Sequence, residues 1–170
     1  WISGNLSTLA DSGRLNLDQS VVNSVFSKVA KNGFLEILNL ILTIIPKDAI
    51  TELASQNLHS TIENNQESIA LLFIDLGYYH YDTVILAALH GFLSIVKLIL
   101  GEKNTDPNYI NHTTELNGSA LCAAAKNGSL EIVEYLLSQP NLNMIGDNRG
   151  YGIFICNHCD IIDINVFVLL

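Results

Sequence analysis

The densest group of metal-type ligands in this chain is the run Cys156-Asn157-His158-Cys159 near its C-terminal end. A structural zinc site holds its ion in a tetrahedron of thiolate and imidazole ligands, and Cys122 could supply a further sulfur. Such a site needs a turn between its two cysteines, whereas this run aligns with helical positions of the earlier segments described below. That placement favours thiols that pack or face solvent, so we expect neither a metal nor a cofactor.

The five histidines are spread along the chain, at His59, His80, His90, His112 and His158. None of them has a nucleophile at the spacing of a local catalytic motif. The chain also lacks G-x-S-x-G, a phosphate-binding glycine loop and H-E-x-x-H. We therefore expect packing or surface roles for the histidines, no catalytic residues, and a chain that is not an enzyme.

The densest aromatic cluster consists of Tyr78, Tyr79 and Tyr81. Tyrosine is enriched among the residues that dominate the energy of protein–protein interfaces, so this connection is a candidate contact site. The alternative is that two of the rings cover a short junction between layers, which leaves only one ring exposed.

Composition limits the class of partner. The chain has 170 residues, of which 49% are hydrophobic and 15% charged, as in a folded protein rather than a disordered one. The net charge of -9 argues against nucleic acid and anionic membranes and favours a protein partner with a basic or apolar patch. Three sparse cysteines are typical of reduced thiols in an intracellular, cytoplasmic protein. No apolar run approaches the roughly 18 residues of a membrane span.

One pattern recurs along the chain. A glycine, or an Asn or Asp in its place, stands three residues after an alanine-like position and four residues before an aliphatic one. The recurring positions are Gly13, Gly33, Asn65, Gly91, Gly128 and Asp160. Gly, Asn and Asp tolerate the left-handed conformation in which helices commonly end. Because apolar residues at helical spacing follow each stop, the pattern predicts units of helix, tight turn and helix. The spacing scatters around the period of about 33 residues known for one class of solenoid.

The repeat is clearest over residues 118–137, which read GSALCAAAKNGSLEIVEYLL. This segment is similar to the ankyrin pattern G-x-T-P-L-H-x-A-A-x-x-G-x-x-x-V-V-x-L-L, with Ser119 in place of Thr, Ala120 in place of Pro and Cys122 in place of His. The chain thus resembles an ankyrin-repeat protein. The resemblance implies an all-α solenoid of stacked helix-turn-helix units with short hairpin-like fingers, and a non-catalytic scaffold or adaptor that binds a partner protein through its concave groove and fingers.

The spacing predicts a single repeat domain over residues 1–170. The predicted units are about 4–22, 23–55, 56–80, 81–117, 118–149 and 150–170, of which the first and last are divergent. The compressed first unit is a candidate cap. Since the chain starts at Trp1 without a methionine and ends in an apolar run, we expect it to be part of a longer protein.

The third unit is degenerate, because Thr61 and Ile62 replace the usual alanines and Asn65 replaces glycine. The connection 77–82 is too short for a full finger. By contrast the connection 101–118 is long, and Asp106-Pro107 and Asn117-Gly118 supply turn chemistry for a projecting finger, as does the segment 147–150 for the next one.

In ankyrin-like units the inner-helix positions beside the alanine pair face the groove. Leu86 and Leu89 are informative there, because apolar side chains at groove positions either bind a partner or pack under a finger, and both interpretations stay open. The residues predicted to contact a partner are Tyr78, Tyr79, Tyr81, Leu86, Leu89, His90, Tyr109 and Lys126. Acidic residues such as Glu63, Asp82 and Glu115 would steer a basic partner.

Two other functions fit the sequence. The segment could be a substrate-docking arm of a larger enzyme, such as a secreted effector of an intracellular microbe acting in the host cytoplasm. A structural spacer is the third hypothesis, which a featureless polar groove would support.

Overall fold

The computed structural model describes residues 18–102 and 106–143. Several predictions concern residues outside these ranges: the turns at Gly13 and Asp160, the candidate cap before residue 18, the finger at 147–150, the last unit at 150–170 and the run 156–159. The chain divides between Tyr79 and His80 into two compact units, called here the N-terminal and C-terminal units.

The N-terminal unit consists of two helix pairs among its described residues. The helices are α1 (Gln19–Lys31), α2 (Leu35–Ile44), α3 (Lys47–Glu63) and α4 (Glu67–Asp75). Helix α1 packs against both α2 and α3, and α3 packs against α4. The approximate unit boundaries expected near residues 22 and 55 fall inside α1 and α3, and the connection between the two pairs lies at Ile45 and Pro46.

The C-terminal unit also contains two helix pairs, separated by a longer connection. Its elements are α5 (Tyr81–Leu89), α6 (Leu93–Lys97) with a π-helical turn (Leu98–Glu102), α7 (Asn108–Asn111), β1 (Thr113–Thr114), β2 (Gly118–Ser119), α8 (Ala120–Asn127) and α9 (Leu130–Leu137). The strands pair antiparallel, with Thr113 opposite Ser119. They are the only strands in the described part of the chain, and the expected all-α architecture with a short hairpin finger is confirmed.

Four of the predicted helix stops have the left-handed conformation. The φ angles are 77° at Gly33, 58° at Asn65, 77° at Gly91 and 74° at Gly128. Each stop is closed by the same pair of backbone hydrogen bonds; after α5, for example, the Gly91 N–H donates to the Ala88 carbonyl at 3.2 Å and the Phe92 N–H to Ala87 at 2.9 Å. This pattern satisfies carbonyl groups that the end of a helix leaves without a partner.

The degenerate unit keeps the helical packing despite its larger side chains. Thr61 and Ile62 are both fully buried on α3. The Thr61 hydroxyl donates to the Asn57 carbonyl at 2.7 Å, which satisfies its polar group inside the core. Phe26 of α1 stacks on Phe73 of α4 with ring centroids 5.7 Å apart, so an aromatic pair is part of the core of this unit.

In the C-terminal unit small residues allow a close approach of α5 and α8. Ala87 and Ala88 on α5, and Ala123 and Ala124 on α8, are fully buried. Helices α5 and α8 pack directly against one another. The rest of the core consists of aliphatic side chains, among them Ile85, Ile95, Ile99, Ile132 and Leu136.

Candidate interaction surface

The start of α5 fixes the position of one exposed tyrosine. The His80 N–H donates to the Oγ1 of Thr83 at 2.9 Å, and Thr83 is itself fully buried, so the first turn is anchored to the core. Tyr81 is the first residue of this helix and is 41% exposed. A large aromatic side chain therefore stands in solvent on a rigid support.

Asp106 joins this tyrosine to the finger. One of its carboxylate oxygens accepts the Asn108 N–H at 2.9 Å, which starts the short helix α7. Its other oxygen accepts the hydroxyl of Tyr81 at 3.3 Å. The negative charge of Asp106, and then this hydrogen bond, raise the pKa of Tyr81 above its usual value, since both favour the neutral phenol.

Two more rings complete an aromatic cluster. The ring of Tyr109 lies 4.5 Å from that of Tyr81, centroid to centroid, at an interplanar angle of 54°. The His112 ring lies 5.7 Å from that of Tyr81 on the same basis. We call Tyr81, Asp106, Tyr109 and His112 the Tyr81 surface. Tyr109 and His112 are half-buried, so they support the exposed Tyr81 ring.

The segment after α9 holds the finger in place. The side-chain amide of Asn111 donates to the Asn141 carbonyl at 2.8 Å, and its oxygen accepts the Asn143 N–H at 2.7 Å. The same amide also donates to the Pro107 carbonyl at 3.0 Å, within the turn that begins α7. These bonds fix the α7 backbone from which Tyr109 and His112 project.

The hairpin presents an apolar residue that sequence reasoning missed. Leu116 lies in the turn between β1 and β2 and is 89% exposed. Gly118 has the left-handed φ of 68°, and the Asn117 N–H donates to the Thr114 hydroxyl at 3.2 Å, which together shape this turn. The sequence does contain a sign of this exposure, because Leu116 stands directly before the Asn117-Gly118 turn, where a polar residue is usual.

The predicted contact residues fall into separate groups. Tyr81 and Tyr109 meet in the Tyr81 surface. Leu86, Leu89 and His90 are half-buried towards the other end of α5, and Leu89 lies eight residues after Tyr81, or about 12 Å along the helix axis. Tyr81 and Leu89 thus lie at opposite ends of α5.

The far end of α5 is adjacent to the end of α8. The side-chain nitrogen of Asn127 lies 3.0 Å from the position that a Cβ on Gly91 would take. His90 stacks on Phe92 with ring centroids 6.1 Å apart, and Lys126 is exposed on the last turn of α8. His90 and Lys126 therefore lie at the same end of the unit.

The other two tyrosines among the predicted contact residues belong to the N-terminal unit. Tyr78 and Tyr79 are both half-buried. The Tyr78 hydroxyl shares a hydrogen bond with the hydroxyl of Thr51 on α3, at 2.8 Å. This contact holds the Tyr78 side chain against α3.

No metal centre is formed by the part of the chain that the structure describes, because no three His, Cys, Asp or Glu side chains there come together as ligands. Cys122 is half-buried on α8 and forms no disulfide. The sulfur ligands that it could have joined, at 156 and 159, lie outside the described ranges. Within residues 18–102 and 106–143, no helix is long and apolar enough to cross a membrane.

Residues 84–161 match the family model for ankyrin repeats in three copies. This part of the chain consists of ankyrin repeats. The match begins within α5 and includes α8 and α9, the helix pair in which the sequence pattern is clearest. No curated protein and no solved structure matched the chain. Ankyrin repeats generally mediate protein–protein interaction, and ankyrin-repeat domains are generally non-catalytic.

Proposed function

We propose that this protein binds a partner protein at the Tyr81 surface, and that the partner contributes a basic side chain beside an apolar one. The single observation that carries the proposal is the geometry of Tyr81, an exposed ring held by Asp106 and supported by Tyr109. A side chain that is already fixed loses little conformational freedom when it binds, which is typical of interface anchors.

Charge supports a basic group in the partner. The Asp106 carboxylate is half-buried beside the Tyr81 ring, and the exposed Glu115 lies in the adjoining hairpin. An arginine or lysine over the Tyr81 face would gain a cation–π contact and could pair with Asp106 at the same time. The exposed Leu116 offers an apolar contact for the neighbouring side chain of the partner.

A peptide-display selection with a random library tests the proposal, using the full chain as bait. We expect the selected peptides to be enriched in Arg or Lys next to aliphatic residues. Tyr81→Ala and Tyr109→Ala should each weaken a selected peptide by about 1–3 kcal/mol, because each removes an anchor ring or its support. Isothermal calorimetry with synthetic peptides measures the affinities, and circular dichroism checks that the variants fold.

Two further variants test which part of Tyr81 matters and whether the effect is specific to this surface. Tyr81→Phe keeps the ring and loses only the hydroxyl bonded to Asp106, so it should weaken binding less than Tyr81→Ala does. Leu130→Ala changes a residue of α9 that is 49% exposed and should leave affinity unchanged. Unchanged affinity in a folded Tyr81→Ala, Tyr109→Ala double variant would contradict the proposal and would direct attention to Leu89, His90 and Lys126.

A further inference from the structure

The side chain of Asn111 joins two parts of the C-terminal unit that are far apart in the sequence. Its amide nitrogen donates to the Asn141 carbonyl at 2.8 Å, and its oxygen accepts the Asn143 N–H at 2.7 Å. One side chain thus holds the backbone of residues 141–143 by two hydrogen bonds, in the way that a peptide group of a neighbouring strand would hold it. We call these two bonds the Asn111 bridge.

A carboxamide suits this place because it carries a donor and an acceptor on neighbouring atoms. An ionised aspartate would only accept, and an alanine or leucine would do neither. The nitrogen of Asn111 also donates to the Pro107 carbonyl at 3.0 Å, at the beginning of α7. The bridge therefore links the segment after α9 to the first turn of α7 as well as to its last residue.

Helix α7 carries one half of the Tyr81 surface. It has four residues, too few for a stable helix by itself, so contacts from outside must hold it in place. One contact is apolar, because Ile110 is only 4% exposed and α7 packs against α5. The Asn111 bridge is a second contact. Asp106 and Tyr109, which meet the Tyr81 ring, lie within five residues of Asn111 in the chain.

We propose that Asn111 is a positioning residue of the Tyr81 surface, and that through it the affinity of this surface depends on residues 141–143. A second molecule that bound residues 141–143 and displaced them would thereby weaken binding at the Tyr81 surface. A ligand at the Tyr81 surface would in turn stabilise the bridge, because coupling between two sites is reciprocal. The effect on affinity rests on the proposed function, whereas the effect on the rings does not, since the rings meet without a ligand.

A ligand-free experiment tests the positioning role. In the full chain with isotope-labelled tyrosine, nuclear magnetic resonance reports the ring signals of Tyr81, which depend on the neighbouring Tyr109 ring. We expect Asn111→Ala to move these signals towards the positions that they have in Tyr109→Ala. A folded Asn111→Ala variant whose Tyr81 signals stay at the wild-type positions would overturn the proposal, because Asn111 would then hold only the segment after α9.

The chain offers a matched control on the same helix. Asn108 is an exposed asparagine of α7, and within the part of the chain that the structure describes its hydrogen bond is made by the backbone N–H alone. Asn108→Ala keeps that bond, so it should leave the Tyr81 signals unchanged. A shift as large as that of Asn111→Ala would show that any substitution on α7 disturbs the rings, and would contradict a specific role of the bridge.

A variant on the other side of the bridge guards against a folding defect of Asn111→Ala. Asn143→Pro removes the N–H that Asn111 accepts and leaves every side chain of α7 in place. It should move the Tyr81 signals in the same direction as Asn111→Ala. Circular dichroism checks both folds, and unmoved signals in a folded Asn143→Pro variant would contradict the dependence on residues 141–143.

Binding and hydrogen exchange test the coupling. With a synthetic basic peptide selected on the full chain, Asn111→Ala should weaken affinity about 5–10-fold, and Asn108→Ala should not change it. The peptide should slow exchange of the Asn143 N–H in the wild-type chain and have no such effect in Asn111→Ala.

The two proposals fail in different ways. Full affinity in Asn111→Ala, for a peptide that Tyr81→Ala weakens, would overturn the coupling and leave the proposed function intact. Full affinity in the Tyr81→Ala, Tyr109→Ala double variant would overturn the proposed function, and the ring signals of Tyr81 would still decide whether Asn111 positions this surface.

Discussion

Gly33, Asn65, Gly91 and Gly128 share one backbone conformation although their surroundings differ. A Cβ on Gly33 would lie within 2.9 Å of the Gln66 side-chain carboxamide carbon, whereas a Cβ on Gly128 would meet nothing within 4 Å. Asn65 has a side chain and still adopts a φ of 58°. The common requirement at these stops is therefore left-handed backbone, and free space is not what selects the residue.

Gly128 allows the backbone requirement to be measured without steric contacts. We expect Gly128→Val to lower the free energy of unfolding by about 2 kcal/mol, because a β-branched residue is poorly tolerated at positive φ. Gly128→Asn copies the residue that the chain uses at position 65 and should cost less than about 1 kcal/mol. Urea denaturation of both variants gives the comparison, and equal losses would show that the conformation is not what matters.

At the scale of elements, the helix pairs of the two units pack through different core side chains. In the C-terminal unit the alanines of α5 and α8 bring two helices close together. In the N-terminal unit α3 uses Thr61 and Ile62 at the alanine positions, and the Phe26–Phe73 stack fills the core. The pattern of helices is preserved because volume is redistributed and the Thr61 hydroxyl finds a carbonyl within its own helix.

Overpacking of α5 against α8 tests the element-scale interpretation. Ala88→Leu should lower the free energy of unfolding by about 1–3 kcal/mol, because Ala88 is fully buried. Ala125 belongs to the adjacent alanine run of α8 but is only half-buried, so Ala125→Leu should cost less. Thermal or chemical denaturation distinguishes the two. A fully tolerated Ala88→Leu variant would mean that the helices do not approach as closely as described.

At the scale of the whole molecule, charge is the property that acts over distance. The chain carries 17 acidic residues against 8 lysines and arginines, which gives the net charge of -9. A negative field accelerates the encounter with a basic partner and repels polyanions, whereas it adds less to the final affinity. In the proposed complex the Tyr81 surface would supply the local contacts, and the rest of the chain would supply this field.

Association kinetics separate the two contributions. For a basic peptide selected on this chain, added salt should slow association while the dissociation rate changes little, since salt screens the long-range field. Neutralising Glu115 by Glu115→Gln should reduce the salt dependence of the association rate. Surface plasmon resonance at several ionic strengths measures both rates. An association rate that does not respond to salt would rule out electrostatic steering of this partner.

Much of the candidate site could not be read from the chain order. Tyr81, Asp106, Tyr109 and His112 are separated by up to 31 residues, from 81 to 112, and nothing local in the sequence joins them. Tyr81 and Tyr109 were predicted as contact residues, but on separate grounds. Their meeting depends on where the finger packs against the start of α5, and that is a long-range contact.

The sequence by itself determined the repeat and its helix stops, because a left-handed turn restricts the residue locally and an apolar stripe records which side of a helix is buried. Only the tertiary structure decided which side chains lie together and which stay exposed. It placed Tyr78 against Thr51, gathered the Tyr81 surface and left Val25 and Ile37 exposed where the equivalent residues of the other pairs are buried. The physical reason is that local conformation depends on neighbouring residues, whereas exposure depends on what packs from elsewhere in the chain.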